Sequence, residues 1–308
     1  LSKKNNFIFL GLISAIVGGG AVLGNYLYKI SSDPNHKFTG EHDANKTITD
    51  GKLWVRNNKE KQDLYIESLD KLKLHASYIK AEGDSHKYAV LVHGIHDTNE
   101  YMGIYGQHYL EQGINLLMPD LRGHGRSEGS YAGYGYDDRM DVMEWIYWII
   151  KRDSEAKIFI HGVSMGAAAV LMTTGEHLPS NVVAAIADSS YTTALDEFTY
   201  VYKKSGKAFL PTKFMNWLLR LEIKMRSGFD IVESAPIKAV ARSKTPTLFM
   251  HGDEDTFIPP VMCSRLFEAA KCQREYCITL GANHIMGVVV DPVNYWKKVD
   301  AFLAEKIK

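Results

Sequence analysis

The sequence predicts an α/β protein with a mostly parallel central sheet flanked by helices. Three observations carry that reading. Short, nearly continuous apolar runs alternate with stretches of helical periodicity, as do strands buried on both faces and joined by crossover helices. Two segments of strict alternation stand ahead of that series and read as an antiparallel pair. The rhythm then stops once, late in the chain, for a helical insertion between two strands.

Taken in order, residues 63–68 and 73–81 alternate apolar and polar side chains, the pattern of half-buried strands. Residues 88–93 form a short buried strand, 99–112 a helix closed by Gly113, and 115–119 the next strand. A helix over 136–151, a strand over 157–162, a helix over 167–177 and a strand over 182–187 continue the series. It resumes with a strand at 247–250, a helix at 260–271, a strand at 275–280 and a helix at 292–307. Between them, residues 192–235 hold two or three helical patterns and no convincing strand. Functional loops gather at the carboxyl ends of parallel strands, so this insertion is expected to form a small lid; a peripheral helical subdomain is the alternative.

Composition bounds the function. The 308 residues are 45% hydrophobic and 23% charged, which suits one large catalytic domain. Lys plus Arg equals Asp plus Glu, 36 against 36, so the cationic excess that nucleic-acid binding draws on is missing, and no such partner is expected. The three cysteines, Cys263, Cys272 and Cys277, are odd in number and form no C-x-x-C pair; buried thiols are expected over a bridge.

The N-terminus differs from the rest. Lys3 and Lys4 precede a stretch without charge that runs to Tyr28. As a helix, residues 7–27 would span roughly 30 Å, the thickness of a bilayer core. Tyr26, Tyr28 and Lys29 suit the headgroup level. Residues 1–30 therefore read as a transmembrane anchor, 31–62 as a linker and lead-in, and 63–308 as the catalytic domain, placed outside the cytoplasm by the paired lysines. A cleaved signal peptide fits less well, because the apolar run exceeds the usual core of about 7–15 residues.

The chemistry centres on Gly162-Val163-Ser164-Met165-Gly166, a G-x-S-x-G match. Alone, such a match arises by chance in about one chain in ten. Here it follows a buried strand and opens a helix, the strand–turn–helix setting of a nucleophile elbow. The crowded turn favours glycine on both sides, and the helix N-terminus favours developing negative charge. A serine needs a base, and in this arrangement an acid and then a histidine must follow it in the chain. Asp255 follows the strand at 247–250, and His284 follows the strand at 275–280, so both fall at the sheet edge that carries Ser164. Asp253 and Glu254 are the alternative acids. The backbone N–H groups of Met165 and of Ile95, after His93-Gly94, are the expected oxyanion donors.

These segments, with Asp120-Leu121-Arg122-Gly123-His124-Gly125-Arg126-Ser127 and Phe257-Ile258-Pro259, resemble the signature set of the α/β-hydrolase superfamily. The match runs from about residue 63 to the C-terminus. Within the superfamily the chain is similar to membrane-anchored hydrolases of the Bem46 and prolyl-oligopeptidase-like branches. The resemblance implies the α/β-hydrolase fold and cleavage of a small-molecule ester, or less often a peptide-like amide, with no cofactor. One departure is Asn283, where many relatives carry glycine before the histidine.

Other motifs are read as structural. The loop 122–125 lacks the lysine and spacing of a phosphate cradle. His93, His96 and Asp97 follow a strand rather than share a helix face, so no metal is expected there. Trp145, Tyr147 and Trp148 are expected to pack their helix. Phe198, Tyr202, Phe209, Phe214 and Trp217 of the insertion suit either its own core or an acyl pocket. A non-catalytic surface protein is disfavoured by the intact triad, and the oligomeric state is not encoded legibly.

Overall fold

The computed structural model describes residues 22–29, 31, 33–34, 45–206 and 210–307. Most of the expected anchor lies outside them; among the described residues no helix is long and apolar enough to cross a membrane. One sheet of eight strands organises the chain: β1 (Gln62–Glu67), β2 (Lys73–Ile79), β3 (Lys87–Val92), β4 (Asn115–Pro119), β5 (Lys157–Val163), β6 (Val182–Asp188), β7 (Thr247–Gly252) and β8 (Arg274–Thr279). Their spatial order is β1-β2-β4-β3-β5-β6-β7-β8. β1 pairs antiparallel with β2 and β2 with β4, and every later pairing is parallel. The sheet is therefore the mostly parallel one the alternation predicts, and it reverses direction between β4 and β3 only in order, not in strand sense.

Helices cover both faces. α1 (Lys46–Asn57), α2 (Gly103–Glu111) and α10 (Pro292–Ala304) lie on one side with Ile48, Tyr105, Tyr109, Tyr295 and Phe302 in a shared core. α3 (Asp138–Arg152) and α4 (Met165–Thr174) join Val90, Ile158 and Ile160 in the core of the other. α4 is apolar except for Thr173 and Thr174 in its last turn, and every one of its residues is buried, because α3 and α7 (Pro236–Val240) cover the faces the sheet leaves. α8 (Val261–Ala269) and the short α9 (Gly287–Val290) complete the layers.

The polar stretch expected as a linker and lead-in contains α1. Its start is fixed by Asn45, whose side chain accepts from the N–H groups of Thr47 and Ile48. Its backbone lies directly on α2: a Cβ at Gly103 would sit 2.1 Å from Gly51 O. The pair of glycines allows that approach. The helix expected over 99–112 accordingly opens as a 3₁₀ turn, Asn99–Met102, before α2.

The insertion after β6 consists of α5 (Ala194–Lys204), α6 (Thr212–Ser227) and a 3₁₀ turn, Ile231–Glu233, and carries no strand among its described residues. The helical residues 22–29 dock on α6: Arg226 stacks over Tyr28 at 4.6 Å and donates to Asn25 Oδ1 at 2.9 Å. Trp145 is buried and Trp148 packs on Tyr78, but Tyr147 faces solvent, since only one helix face meets the core. Cys263 is buried, Cys272 and Cys277 half-buried, and none is paired.

Two buried polar networks tie the loops to the sheet. Asp120, at the end of β4, accepts from Asn99 N and Arg126 N and bonds His75 Nδ1 at 2.7 Å. Loop 122–125 wraps this carboxylate so closely that a Cβ at Gly125 would lie 2.2 Å from it. Arg122 holds Asp141 with two bonds of 2.8 Å. On the other face His161 of β5 bonds the hydroxyls of Tyr109 and Tyr295, at 2.9 and 3.4 Å.

Burial pushes the His161 imidazole down to about 3, and burial with the neighbouring His93 pushes His124 to about 4. Both are neutral in the native state, whereas the unfolded chain protonates them near 6.5. Between those values the unfolded state binds more protons, so their contribution is complete above pH 6.5 and is lost as pH falls. For His124 the difference is on the order of 3 kcal/mol. The melting temperature should hold near neutral pH and fall steadily toward pH 4. His161→Gln, less stable at pH 7, should show a shallower fall; an equal slope would remove His161 as a cause.

Candidate active site

Ser164 stands on the turn between β5 and α4 with φ 54 and ψ −121, a left-handed conformation that costs a non-glycine residue about 1–3 kcal/mol. Two glycines make the turn possible. A Cβ at Gly162 would lie 2.2 Å from Gly166 O, and one at Gly166 would lie 2.2 Å from Val92 O. Ser164 N donates to Asp188 O of β6 at 2.9 Å, which pins the turn from the other side.

The expected partners converge on this serine. Its Oγ lies 2.9 Å from His284 Nε2, and His284 Nδ1 lies 2.6 Å from Asp255 Oδ2. All three residues are buried. An ionised Asp255 can only accept, so His284 donates through Nδ1 and offers Nε2 as acceptor to the serine hydroxyl. Asp253 points elsewhere, accepting from Gly281 N at 2.6 Å, and Glu254 is exposed.

Asp255 is held by more than His284. Its Oδ1 accepts from Phe257 N and Ile258 N at 2.9 and 2.8 Å, while Oδ2 also meets His251 Nε2 at 3.1 Å. Burial alone would raise this carboxyl, but His284 and then His251 outweigh burial and keep it well below the ordinary carboxylate range. His251 Nε2 is also 2.9 Å from Ile258 O, so that nitrogen faces two acceptors and carries the hydrogen. In the sequence, the position of His251 four residues before the acid, at the end of a strand, is the signal for it.

The histidine loop is braced separately. Asn283 Oδ1 accepts from His284 N at 2.8 Å and from Thr256 N at 3.3 Å, so the residue that departs from the usual glycine ties the acid and histidine loops together. Ser189 Oγ accepts from Ile285 N at 3.3 Å and donates to Asp188 at 2.9 Å. Ser189 has φ 59 and Ile285 φ 52, so both loop bases are bent into place.

Above the serine the β3 loop passes close: a Cβ at Gly94 would lie 3.2 Å from Ser164 Cβ. His93 fixes that loop, with Nδ1 donating to Gly94 O at 2.6 Å and Nε2 accepting from Leu121 N at 3.0 Å. Both ring nitrogens are spent on backbone, as a structural histidine requires. The N–H groups of Ile95 and Met165 have no hydrogen-bond partner among the described residues.

The insertion reaches the same rim. Lys204 Nζ of α5 donates to Thr256 O at 2.8 Å. Phe198 and Tyr202 stack on each other and, like Ile95 and Phe257, pack against the core on the α3–α4 face of the sheet. Phe257 in turn lies 5.1 Å from the His284 ring. Glu197, on the same helix, has no side-chain partner among the described residues; burial and the nearby Asp255 charge push its carboxyl up to about 8. No motif marked it in the sequence. Phe214 and Trp217 point outward, 41% and 56% exposed, in neither the insertion's core nor a pocket. Phe209 lies outside the described residues.

Comparison with known proteins agrees with this architecture. YqkD of Bacillus subtilis, an uncharacterised protein, is 27% identical over 73% of this chain and 74% of its own. Protein bem46 of Schizosaccharomyces pombe is 24% identical over 68% of this chain and 66% of its own. The Pyrococcus furiosus esterase Pf2001 superposes with a TM-score of 0.65 at 25% identity, over 81% of this chain and 93% of that one. With the serine aminopeptidase S33 model (Hydrolase_4) matching residues 83–236, the chain belongs to that hydrolase family and is an α/β-hydrolase superfamily member of the Bem46 type.

Proposed function

We propose that this hydrolase cleaves carboxylic esters through an acyl-enzyme on Ser164, with His284 as general base and Asp255 as the orienting acid. The observation that carries the reading is the continuous chain Ser164 Oγ–His284 Nε2 and His284 Nδ1–Asp255 Oδ2, at 2.9 and 2.6 Å, beneath two free backbone donors. Ser164 Oγ attacks the ester carbonyl while its proton passes to His284 Nε2. The carbonyl oxygen takes the negative charge and accepts from the N–H groups of Ile95 and Met165. Collapse expels the alcohol, which takes the proton from His284. A water then repeats the sequence on the acyl-enzyme, with His284 again the base. The helical insertion acts as a lid whose inner residues, Phe198 and Tyr202, border the acyl side. Residues 22–29 pack on the domain, with Leu27 and Tyr28 buried rather than at a headgroup layer, so it is the uncharged residues ahead of them in the sequence that hold the domain at a membrane.

A second reading, an amidase or peptidase with the same triad, draws on Glu197. A carboxyl without a partner beside the site is a receptor for a substrate amine.

A fluorophosphonate probe should label the wild-type chain and leave Ser164→Ala unlabelled, with ester turnover reduced by about 10⁴-fold or more. Equal labelling would remove Ser164 as the nucleophile. On p-nitrophenyl esters and aminoacyl anilides, esters should be turned over and anilides should not. Turnover of anilides alone, with a KM that rises in Glu197→Gln, would instead establish the second reading.

His251 gives a finer test. His251→Leu removes a donor from Asp255, which makes the carboxylate more basic and the His284 imidazolium more stable. The acid limb of the kcat/KM profile should then move to higher pH. A limb that stays in place while activity drops would reduce His251 to a packing role.

A further inference from the structure

α6 has three faces. One is buried, with Met215, Leu219 and Ile223 packed inward. A second is apolar yet open to solvent: Phe214, Trp217, Leu221 and Met225 are 41, 56, 39 and 63% exposed. Their spacing of three, four and four residues lines them up as one stripe along the helix. On one flank of the stripe lie Lys213, Arg220 and Lys224; Lys213 and Lys224 carry no ion pair among the described residues, and Arg220 holds Asp230 at 2.7 Å. Four large apolar side chains in one exposed row need a partner, unlike scattered surface apolar residues.

The opposite flank receives the chain's own N-terminal helical residues. A Cβ at Gly24 would lie 2.4 Å from Glu222, while Asn25 and Tyr28 both meet Arg226. The order of contacts is the same along both segments, so residues 22–29 run beside α6 in the same direction. In the sequence, the residues ahead of them carry no charge between Phe7 and Ala21. Val22 and Tyr26, at the point of docking, are themselves 72% and 55% exposed.

An apolar row with tryptophan and phenylalanine, flanked by lysines and beside the docked residues 22–29, which follow an uncharged stretch of sequence, has the chemistry of a helix lying in a lipid interface. We propose that the outer face of α6 rests on a bilayer bearing anionic lipid, with Phe214, Trp217, Leu221 and Met225 in the interfacial layer and Lys213 and Lys224 on the headgroups. The partner is thus a lipid surface rather than a second copy of the chain. The proposal rests on the membrane reading above only for how the domain is brought to the bilayer. Since α5 and α6 form one insertion and α5 touches the acid loop through Lys204, lipid contact at α6 bears on the helix that meets the Asp255 loop.

The full chain is reconstituted with vesicles of phosphatidylcholine and phosphatidylglycerol containing a lipid-borne spin-label quencher. Co-sedimentation reports membrane attachment. The fluorescence lost in Trp217→Phe reports α6 separately. The expected result is co-sedimentation, with the Trp217 component quenched about twofold or more by the labelled lipid and less so when the anionic lipid is omitted. Co-sedimentation with a Trp217 component reached by aqueous iodide and not by the lipid quencher overturns the proposal and leaves the anchor reading standing. Shielding from both quenchers also overturns it, and assigns the stripe to a second copy or to the chain's own N-terminal segment. Failure to co-sediment with an unquenched Trp217 overturns both readings.

Discussion

The site depends on one steric constraint, the contact between the β5–α4 turn and the end of β3. With Gly166 pressed against the carbonyls of Val92 and His93, no side chain larger than hydrogen fits there. That contact holds three things at once. It keeps Ser164 in a left-handed conformation, it sets α4 at the height where its first N–H groups face the serine, and it brings the Gly94–Ile95 backbone over the same point. The two backbone donors that the proposed mechanism assigns to the oxyanion come from different elements, and they can serve one oxygen only because the backbones that carry them touch. The strain at Ser164 is offset by the buried, largely apolar packing of α4 and by its hydrogen bond to β6.

The second half of the site is an electrostatic problem solved by hydrogen bonds. A carboxylate as buried as Asp255 would ordinarily take up a proton. It stays ionised because two backbone N–H groups and two histidines surround it. Each donor also fixes direction, so Asp255 cannot turn away from His284. The histidine is constrained in the same manner by Asn283 and, through Ile285, by Ser189. Loops at the ends of β6, β7 and β8 thus behave as one rigid rim, although no single element connects them.

Much of this was legible in the sequence, for an identifiable reason. Buried parallel strands must be apolar throughout, so their ends are sharp, and a residue just past an end is placed by topology alone. That is why Ser164, Asp255 and His284 could be brought to one edge before any geometry was known. Asp255 is preferred to Asp253 and Glu254 on its motif alone, and it is the carboxyl that faces the histidine loop. What could not be read depends on tertiary contact. α1 looked like a polar lead-in because its docking rests on Gly51 meeting Gly103, and a glycine pair has no hydrophobic signature. Phe214 and Trp217 suited either the insertion's core or an acyl pocket because large aromatic residues are usually buried; their outward direction is set by which face of α6 its packing leaves open.

Glu197 shows how the two halves meet. It lies on the insertion, and its proton is held first by burial and then by the charge of Asp255, which makes a second carboxylate nearby unfavourable. With its carboxyl pushed up to about 8, it is neutral at pH 7 and can donate a hydrogen bond, which suits an uncharged ester oxygen. A substrate cation placed beside it would reverse the balance and draw the proton off, because an opposite charge nearby favours the ionised form. Under the proposed function, the same side chain would therefore meet a neutral ester as a donor and an amine as a counter-ion, with the triad chemistry the same in both.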